Sequence, residues 1–242
     1  MTCIVTILGC GPGNSTQVLQ DAFPSAHITG MDSSPAMLQK ARATLPSVDF
    51  VRGDLSTYAP NEQADLLFSN AVFHWLRSPH RLPTLVRLFS SLKQGGVVAI
   101  QVPDNYHESS HTLMRTVASL PSTPWSQYFA STSIGNLTDP TRPDLDPIEP
   151  PAEFYNALIP HAASVNIWRT TYHHVLNDAG AIVEWVKGTG LQPYLNRMGD
   201  DDDAKKGFLK EYERKLGEVY GELGDGKVLL GYPRLFVVAV RK

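Results

Sequence analysis

Long hydrophobic runs, cysteine and excess charge are all scarce in this 242-residue sequence. No apolar run approaches the roughly 18 residues that a membrane span needs, and the apolar start lacks the basic region of a signal peptide. Two cysteines are too few for a disulfide framework or a zinc site and favour a reducing, cytoplasmic compartment. A net charge of −3 excludes the basic footprint of a nucleic-acid-binding protein. We therefore expect a globular protein with no nucleic-acid, membrane or metal partner.

Strand and helix signals alternate at short spacing along the first part of the chain. Apolar runs at 3–8 and 64–69 are typical of buried strands, and helical patterns cover about 15–22 and 35–44. Short links between strands and helices favour a parallel, doubly wound α/β sheet. The stretch 121–151 is rich in Pro, Ser, Thr and Asp, and a loop of that length is usually functional or mobile.

A glycine-rich turn follows the first predicted strand. Its residues are Gly9, Cys10, Gly11, Gly13 and Asn14, and Asn14 is a good N-cap for the helix that follows. Glycines there let the backbone turn tightly and approach a ligand, to which the helix N-terminus offers unpaired N–H groups. The dinucleotide fingerprint is G-x-G-x-x-G, whereas Asn14 occupies the third glycine position here. This spacing disfavours NAD and suits a nucleoside that carries an amino-acid tail; an ordinary strand–helix turn is the alternative.

Polar residues follow the next three predicted strands, at the sheet edge where ligands bind in this fold. Asp32 follows the second strand and could accept hydrogen bonds from ribose hydroxyls, and Asp54 follows the third and could accept from an adenine amino group. The segment Ser69–Trp75, which contains His74, follows the fourth strand and faces the same crevice. The alternatives are an N-cap or turn role for the two aspartates, and a core or satisfied polar role for His74 and Trp75.

These elements, in this order, resemble the class I S-adenosylmethionine-dependent methyltransferases. Further segments resemble, more narrowly, the trans-aconitate 2-methyltransferase family; they are Asp32–Met37, Gln101–Asn105, Ile167–Tyr172, Trp185–Leu191 and Pro233–Arg241. The resemblance implies an α/β fold with a doubly wound, mostly parallel, seven-stranded Rossmann-like sheet whose last strand is antiparallel. It also implies a single domain over 1–242, with helical insertions at 104–163 and 180–223 that form a cap on the acceptor side.

The same resemblance implies S-adenosylmethionine as the cofactor. The glycines would pass beneath its methionine part, Asp32 would hold the ribose, and Asp54 would border the adenine. Asn70 and Ala71 would lie near the transferred methyl group. The full set of implied cofactor residues is Gly9, Cys10, Gly11, Gly13, Asn14, Asp32, Ser33, Met37, Asp54, Leu55, Asn70 and Ala71.

The implied reaction is O-methylation of a carboxylate in a small polycarboxylic acid such as trans-aconitate. A carboxylate is already ionised at neutral pH, so we assign no general base and expect Asn70, His74 and Trp75 to position the reactants. The face of Trp75 could also stabilise a sulfonium cation. Arginine suits a carboxylate acceptor, and the candidate acceptor residues are Arg169, Tyr172, Arg234 and Trp75, with His173, His174 and Tyr194 as secondary candidates.

Three other interpretations stay open. Members of the family carry a helical segment ahead of the first strand that helps to close the site, whereas Gly9 here follows only eight residues. The acceptor could therefore be another small acid or a natural-product hydroxyl. The chain could also be a cofactor-binding protein with weak or no transferase activity. An NAD dehydrogenase is the third alternative, and it is the least favoured because Asn14 occupies the third glycine position of the dinucleotide fingerprint. The sequence does not predict the oligomeric state.

Overall fold

The computed structural model describes residues 2–242 and divides the chain into two compact units. Unit 1 comprises the chain up to Pro103 together with Ile148–Thr170 and Arg234–Lys242. Unit 2 comprises Asp104–Pro147 and Thr171–Pro233.

Seven strands in the described residues form one mixed sheet. They are β1 (Ile4–Leu8), β2 (His27–Asp32), β3 (Asp49–Arg52), β4 (Leu66–Asn70), β5 (Val97–Pro103), β6 (Ala162–Leu176) and β7 (Val228–Arg241). Their order across the sheet is β3-β2-β1-β4-β5-β7-β6. Neighbours among β1 to β5 are parallel, and β7 runs antiparallel to β5. The predicted seven-stranded, mostly parallel sheet with an antiparallel last strand is confirmed.

Nine helices lie in the same described residues. They are α1 (Asn14–Ala22), α2 (Pro35–Thr44), α3 (Ser78–Ser90), α4 (Ser109–Ala118), α5 (Ser126–Phe129), α6 (Pro151–Leu158), α7 (Ala179–Lys187), α8 (Gln192–Arg197) and α9 (Asp202–Val219). In α1, Gly13 occupies the N-cap position with φ 101° and Asn14 is the first helical residue, so the expectation that Asn14 caps this helix is wrong. In α2, the Ser34 hydroxyl accepts a hydrogen bond from the Met37 N–H, and Ser34 is the cap.

Both faces of the sheet in unit 1 are covered by helices, which explains why its central strands are continuous apolar runs. On one face, residues of β1 pack with Leu19 of α1 and Leu38 of α2. On the other face, residues of β4, β5 and β7 pack with Leu88 of α3 and Phe154 of α6. Because β1 to β4 are parallel, their carboxyl ends meet at one edge of the sheet, where the candidate residues follow each strand.

Unit 2 has a core of its own, formed by apolar residues of its helices. Met114 of α4, Ile182 and Val186 of α7 and Phe208 of α9 belong to it. The long segment that composition marks as a loop contains α5 and a buried arginine, Arg142. The guanidinium of Arg142 forms ion pairs with the carboxylates of Asp144 and Asp146, which give this segment a fixed local structure.

Residues 2–242 contain neither a helix that could span a membrane nor a cluster of metal-ligating side chains. None of their helices combines the length and apolar character needed to cross a membrane. Within the same range, His, Cys, Asp and Glu side chains form no cluster of three or more that could hold a metal ion. Cys3 is exposed, Cys10 is buried, and both carry free thiols.

Candidate active site

The glycine turn joins β1 to α1 at the carboxyl edge of the sheet. Gly9 has φ 71°, and a Cβ at this position would lie 2.4 Å from Cγ2 of Val72, so only glycine fits. Gly11 has φ 55°, but a Cβ there would meet no described atom within 4 Å. The open side of Gly11 leaves the room that a ligand needs to approach the backbone closely.

Asp32 connects the glycine turn to the loop that follows β2. Its Oδ2 accepts a hydrogen bond from the Gly11 N–H at 2.9 Å, and its Oδ1 accepts one from the Ser34 N–H at 2.8 Å. Each carboxylate oxygen can accept more than one hydrogen bond, so Asp32 can also receive ligand hydroxyls. Ser33 is exposed, and the Met37 side chain is 37% exposed.

Asp54 and Leu55 follow β3 but are placed very differently. Asp54 is exposed, and hydrogen bonds donated by the hydroxyl and N–H of Ser56 hold its pKa below the usual value. Its carboxylate is therefore ionised at neutral pH and can accept a hydrogen bond. The Leu55 side chain is buried in the core cluster that contains Met31, so a ligand could meet only its backbone.

Cys10 is also buried, although it lies inside the glycine turn. Burial, and then the nearby Asp32 carboxylate, raise the pKa of its thiol to about 12. The thiol is therefore protonated at neutral pH and is not a nucleophile. Its side chain packs in the core cluster beneath α1, and only the backbone of Cys10 can face a ligand.

The segment after β4 contains a strained residue and two neighbouring aromatic rings. Ala71 has φ 58°, and its N–H donates a hydrogen bond to the Gln101 carbonyl at 2.9 Å. Non-glycine residues in this left-handed region are uncommon and cluster at functional sites. His74 and Trp75 follow in a short 3₁₀ turn with ring centroids 4.9 Å apart, and Trp75 is 44% exposed.

A fully buried arginine anchors this segment. Arg81 of α3 donates to the Phe73 carbonyl at 3.1 Å and to the Leu76 carbonyl at 2.9 Å. Its guanidinium also forms an ion pair with Glu149 at 2.6 Å. Sequence reasoning misses this role, although one signal was available: Arg81 falls on the apolar stripe of α3, four positions before the buried Leu85.

A cleft of about 510 Å³ lies in unit 1, on the face of the sheet that carries α1. Its lining residues come from α1 and from β4, β5, β6 and β7, and they are Asn14, Ser15, Val18, Leu19, Phe68, Asn70, Ala99, Ile100, Gln101, Trp168, Phe236 and Val238. The rings of Trp168 and Phe236 stack with centroids 5.0 Å apart. Gln101, to which the sequence motifs assign no role, is 6% exposed and accepts a hydrogen bond from Arg234 at 2.8 Å.

The structure separates the candidate acceptor residues. Successive side chains of a strand point to opposite faces of the sheet. Arg234 lies two positions before Phe236 on β7 and therefore points to the same face as Phe236, which lines the cleft. Arg169 directly follows Trp168 on β6 and therefore points to the face opposite the cleft. Tyr172 belongs to unit 2, where it is 44% exposed and its ring stacks on that of His174, with centroids 6.5 Å apart.

The secondary acceptor candidates all lie in unit 2. Tyr194 is buried in the core of this unit, and burial raises the pKa of its hydroxyl above the usual range, so it is a packing residue. His173 is exposed, and His174 is partly buried with its ring centroid 4.3 Å from that of Trp185.

Comparison with known proteins identifies the family. Residues 5–96 match a family described as methyltransferase domain. A trans-aconitate 2-methyltransferase of Rhizobium rhizogenes is 46% identical over 235 residues, which cover 97% of this chain and 86% of that protein. The chain belongs to the trans-aconitate 2-methyltransferase family. A second trans-aconitate 2-methyltransferase, from Variovorax paradoxus, is 46% identical over 239 residues that cover 98% of this chain and 86% of that protein.

Solved structures agree with membership of this methyltransferase family at the level of the fold. The YcgJ protein of Bacillus subtilis matches with a TM-score of 0.56 and 11% identity, over 100% of this chain and 92% of that one. A structure of Haemonchus contortus phosphoethanolamine N-methyltransferase 2 in complex with S-adenosyl-L-methionine matches with a TM-score of 0.50 and 14% identity, over 100% of this chain and 49% of that one. These two structures show the fold alone. The resemblance stated from the sequence motifs is confirmed by the relatives that are 46% identical to this chain, and the chain is a methyltransferase.

Proposed function

We propose that this methyltransferase esterifies a carboxylate of a small polycarboxylic acid, such as trans-aconitate, and uses S-adenosylmethionine as its methyl donor. The observation that carries the proposal is the 46% identity to a trans-aconitate 2-methyltransferase over 97% of the chain. The free thiols of Cys3 and Cys10 agree with a cytoplasmic enzyme.

The residues at the carboxyl edge fit a nucleoside with an amino-acid tail. Asp32 has acceptor capacity left for ribose hydroxyls, and the open side of Gly11 admits the tail close to the backbone. The ionised, exposed Asp54 suits an adenine amino group. When bound, S-adenosylmethionine would supply an electrophilic methyl group: a carboxylate oxygen would accept it as the methyl–sulfur bond breaks, and S-adenosylhomocysteine would leave with no proton transferred.

The residues around the acceptor have a positioning task and need no general base. An ordinary carboxyl group has a pKa near 4 and is ionised at neutral pH. Correct orientation of two reactants can supply roughly 7–11 kcal/mol in favourable cases. Arg234, whose Nη1 donates to Gln101 on the neighbouring strand, is the leading candidate to bind the acceptor, and the exposed face of Trp75 can lie against a sulfonium.

A labelled-methyl assay tests the proposed reaction. The chain is incubated with methyl-labelled S-adenosylmethionine and, separately, with trans-aconitate, other tricarboxylates, monocarboxylic acids and a phenol. We expect label in an ester of trans-aconitate, which mild alkali hydrolyses. Alkali-stable label in an ether would support the hydroxyl alternative, and cofactor binding without any labelled ester would support the weak or inactive alternative.

Calorimetry with the two candidate cofactors separates the methyltransferase from a dehydrogenase. We expect heat of binding with S-adenosylmethionine and none with NADH, because Asn14 replaces the third glycine of the dinucleotide fingerprint. Tight NADH binding with no response to S-adenosylmethionine would contradict the proposed function.

A further inference from the structure

We propose that Gln101 is a specificity-determining residue, which binds a carboxylate of the acceptor other than the one that is methylated. This inference rests on the proposed function and assigns a role to a residue that the sequence motifs leave without one. It follows from the orientation of the Gln101 amide, from its burial and from its position in the sheet.

The contact with Arg234 fixes the orientation of the Gln101 amide. The guanidinium of arginine can only donate hydrogen bonds, so the amide oxygen must face it. Accordingly, Arg234 Nη1 donates to Gln101 Oε1 at 2.8 Å, and the amide Nε2 is turned away from Arg234. The contact with Arg234 therefore leaves Nε2 of Gln101 as a hydrogen-bond donor on the side of the amide that faces away from Arg234.

The donor that results has no acceptor among the residues that the structure describes. Gln101 is 94% buried, and within residues 2–242 its Nε2 finds no hydrogen-bond partner. Buried amide groups are nearly always paired, because leaving a buried donor unsatisfied is costly. Gln101 lines the cleft together with Asn70, so an anionic group at this end of the cleft could satisfy the amide.

The sheet register places this donor next to the proposed methyl-transfer position. Gln101 is directly opposite Asn70 in the parallel β4–β5 pair and directly opposite Phe236 in the β5–β7 pair. Neighbouring strands lie about 4.8 Å apart. One carboxylate of a small polycarboxylic acid can therefore reach the Asn70 position while a second carboxylate reaches Gln101.

The carboxylate held at Gln101 is better suited to binding than to reaction. Hydrogen-bond donors stabilise the negative charge of an oxygen, which makes that oxygen a weaker nucleophile. The amide also accepts from Arg234 without adding negative charge to the cleft. A glutamate at this position would still accept from Arg234, but it would present a second carboxylate oxygen that repels the acceptor.

Calorimetry on the complex with S-adenosylhomocysteine tests the role of Gln101 without relying on turnover. The probes are trans-aconitate and crotonate, a monocarboxylic acid with the same kind of double bond. For Gln101→Glu we expect a rise in the Kd of trans-aconitate of roughly 10- to 100-fold, the value of a hydrogen bond to a charged group. The Kd of S-adenosylhomocysteine should not change, that of crotonate should rise much less than that of trans-aconitate, and Gln101→Met should show a smaller loss for trans-aconitate.

Gln63→Glu is the matched control, since it makes the same chemical change at an exposed position, and it should bind all three ligands as the wild type does. Unchanged binding of trans-aconitate by Gln101→Glu would overturn the inference, as would equal binding of trans-aconitate and crotonate by the wild type. If the glutamate variant does not fold, Gln101→Met, which keeps the volume, decides by the same comparison. A wild type that binds trans-aconitate through Gln101 but forms no labelled ester would contradict the proposed function alone.

Discussion

The carboxylate of Asp32 and the backbone N–H of Gly11 are joined by a hydrogen bond of 2.9 Å that spans 21 positions of the sequence. The same carboxylate also accepts from Ser34. The residue proposed to hold the ribose therefore also fixes the turn proposed to pass beneath the methionine part. As a result, a change at Asp32 acts on two parts of the cofactor site.

Asp32→Asn should weaken the binding of S-adenosylmethionine by about 10- to 100-fold, because an amide can accept at only one of its two ends and a hydrogen bond to a charged group is lost. The Kd from calorimetry provides the measurement. Asp49→Asn, at an exposed aspartate of β3, is the matched control and should leave the Kd unchanged. Equal Kd values for Asp32→Asn and the wild type would contradict a role in cofactor binding.

Gly11→Ala should impair cofactor binding far more than folding. Gly11 has φ 55° and Gly199 has φ 54°, and a Cβ at either would meet no described atom within 4 Å. At either position, the backbone strain of an alanine should therefore lower the free energy of unfolding by about 1–2 kcal/mol. Urea unfolding should show similar losses for Gly11→Ala and Gly199→Ala, while calorimetry should show weaker S-adenosylmethionine binding only for Gly11→Ala. Normal cofactor binding by Gly11→Ala would mean that the open side of this residue faces solvent only.

Glu149→Gln should destabilise the fold by about 3–5 kcal/mol, because it leaves the charge of Arg81 buried beside a neutral partner. Urea unfolding followed by circular dichroism gives the free energy of unfolding. The double substitution Arg81→Met with Glu149→Leu should recover part of the loss, since no buried charge remains. Arg214→Gln, which breaks exposed ion pairs on α9, should change the stability little. A Glu149→Gln variant as stable as the wild type would show that the ion pair does not hold this segment.

Stability should fall with acidification because of His111. Burial, and then the charge of Arg115, lower the pKa of this imidazole to about 3, and the ring also contacts Tyr232. The pKa of His111 is lower in the folded state than in the unfolded state. The stability that depends on a neutral His111 is therefore fully present above pH 6.5 and is lost as the pH falls toward 3. At pH 5 the loss from this group is about 2 kcal/mol. The decrease in unfolding free energy from pH 7.5 to pH 5 should therefore be smaller by that amount in His111→Gln, and an equal decrease would contradict this assignment.

Arg234→Ala should raise the KM for trans-aconitate more than Arg169→Ala does. Arg234 lies on the face of the sheet that carries the cleft, whereas Arg169 points to the opposite face. Steady-state kinetics at saturating S-adenosylmethionine provide the comparison, and neither substitution should change the Kd of the cofactor. A larger effect at Arg169 would place the acceptor on the opposite side of the sheet.

The sheet topology is predicted correctly through the family resemblance, whereas the features that the residues themselves predict correctly are local ones. Continuous apolar runs such as Leu66–Phe68 and the glycines after β1 carry their structural meaning within a few residues. The contact between Arg81 and Glu149 spans 68 positions, and that between Gln101 and Arg234 spans 133. Periodicity and turn signals contain no information on such pairings, so both were found only in the structure. The wrong cap at Asn14 has a local cause, because Gly13 adopts the left-handed conformation and takes that position.

Ala71 has φ 58°, and its N–H donates a hydrogen bond to the Gln101 carbonyl. This part of the backbone is therefore ordered when the protein folds. An alanine has fewer backbone conformations than a glycine would have at the same position. The entropy loss of fixing this segment is therefore taken once, during folding, and not again at each binding event. The backbone at Ala71 is thus fixed by a contact within the chain, the hydrogen bond to the Gln101 carbonyl.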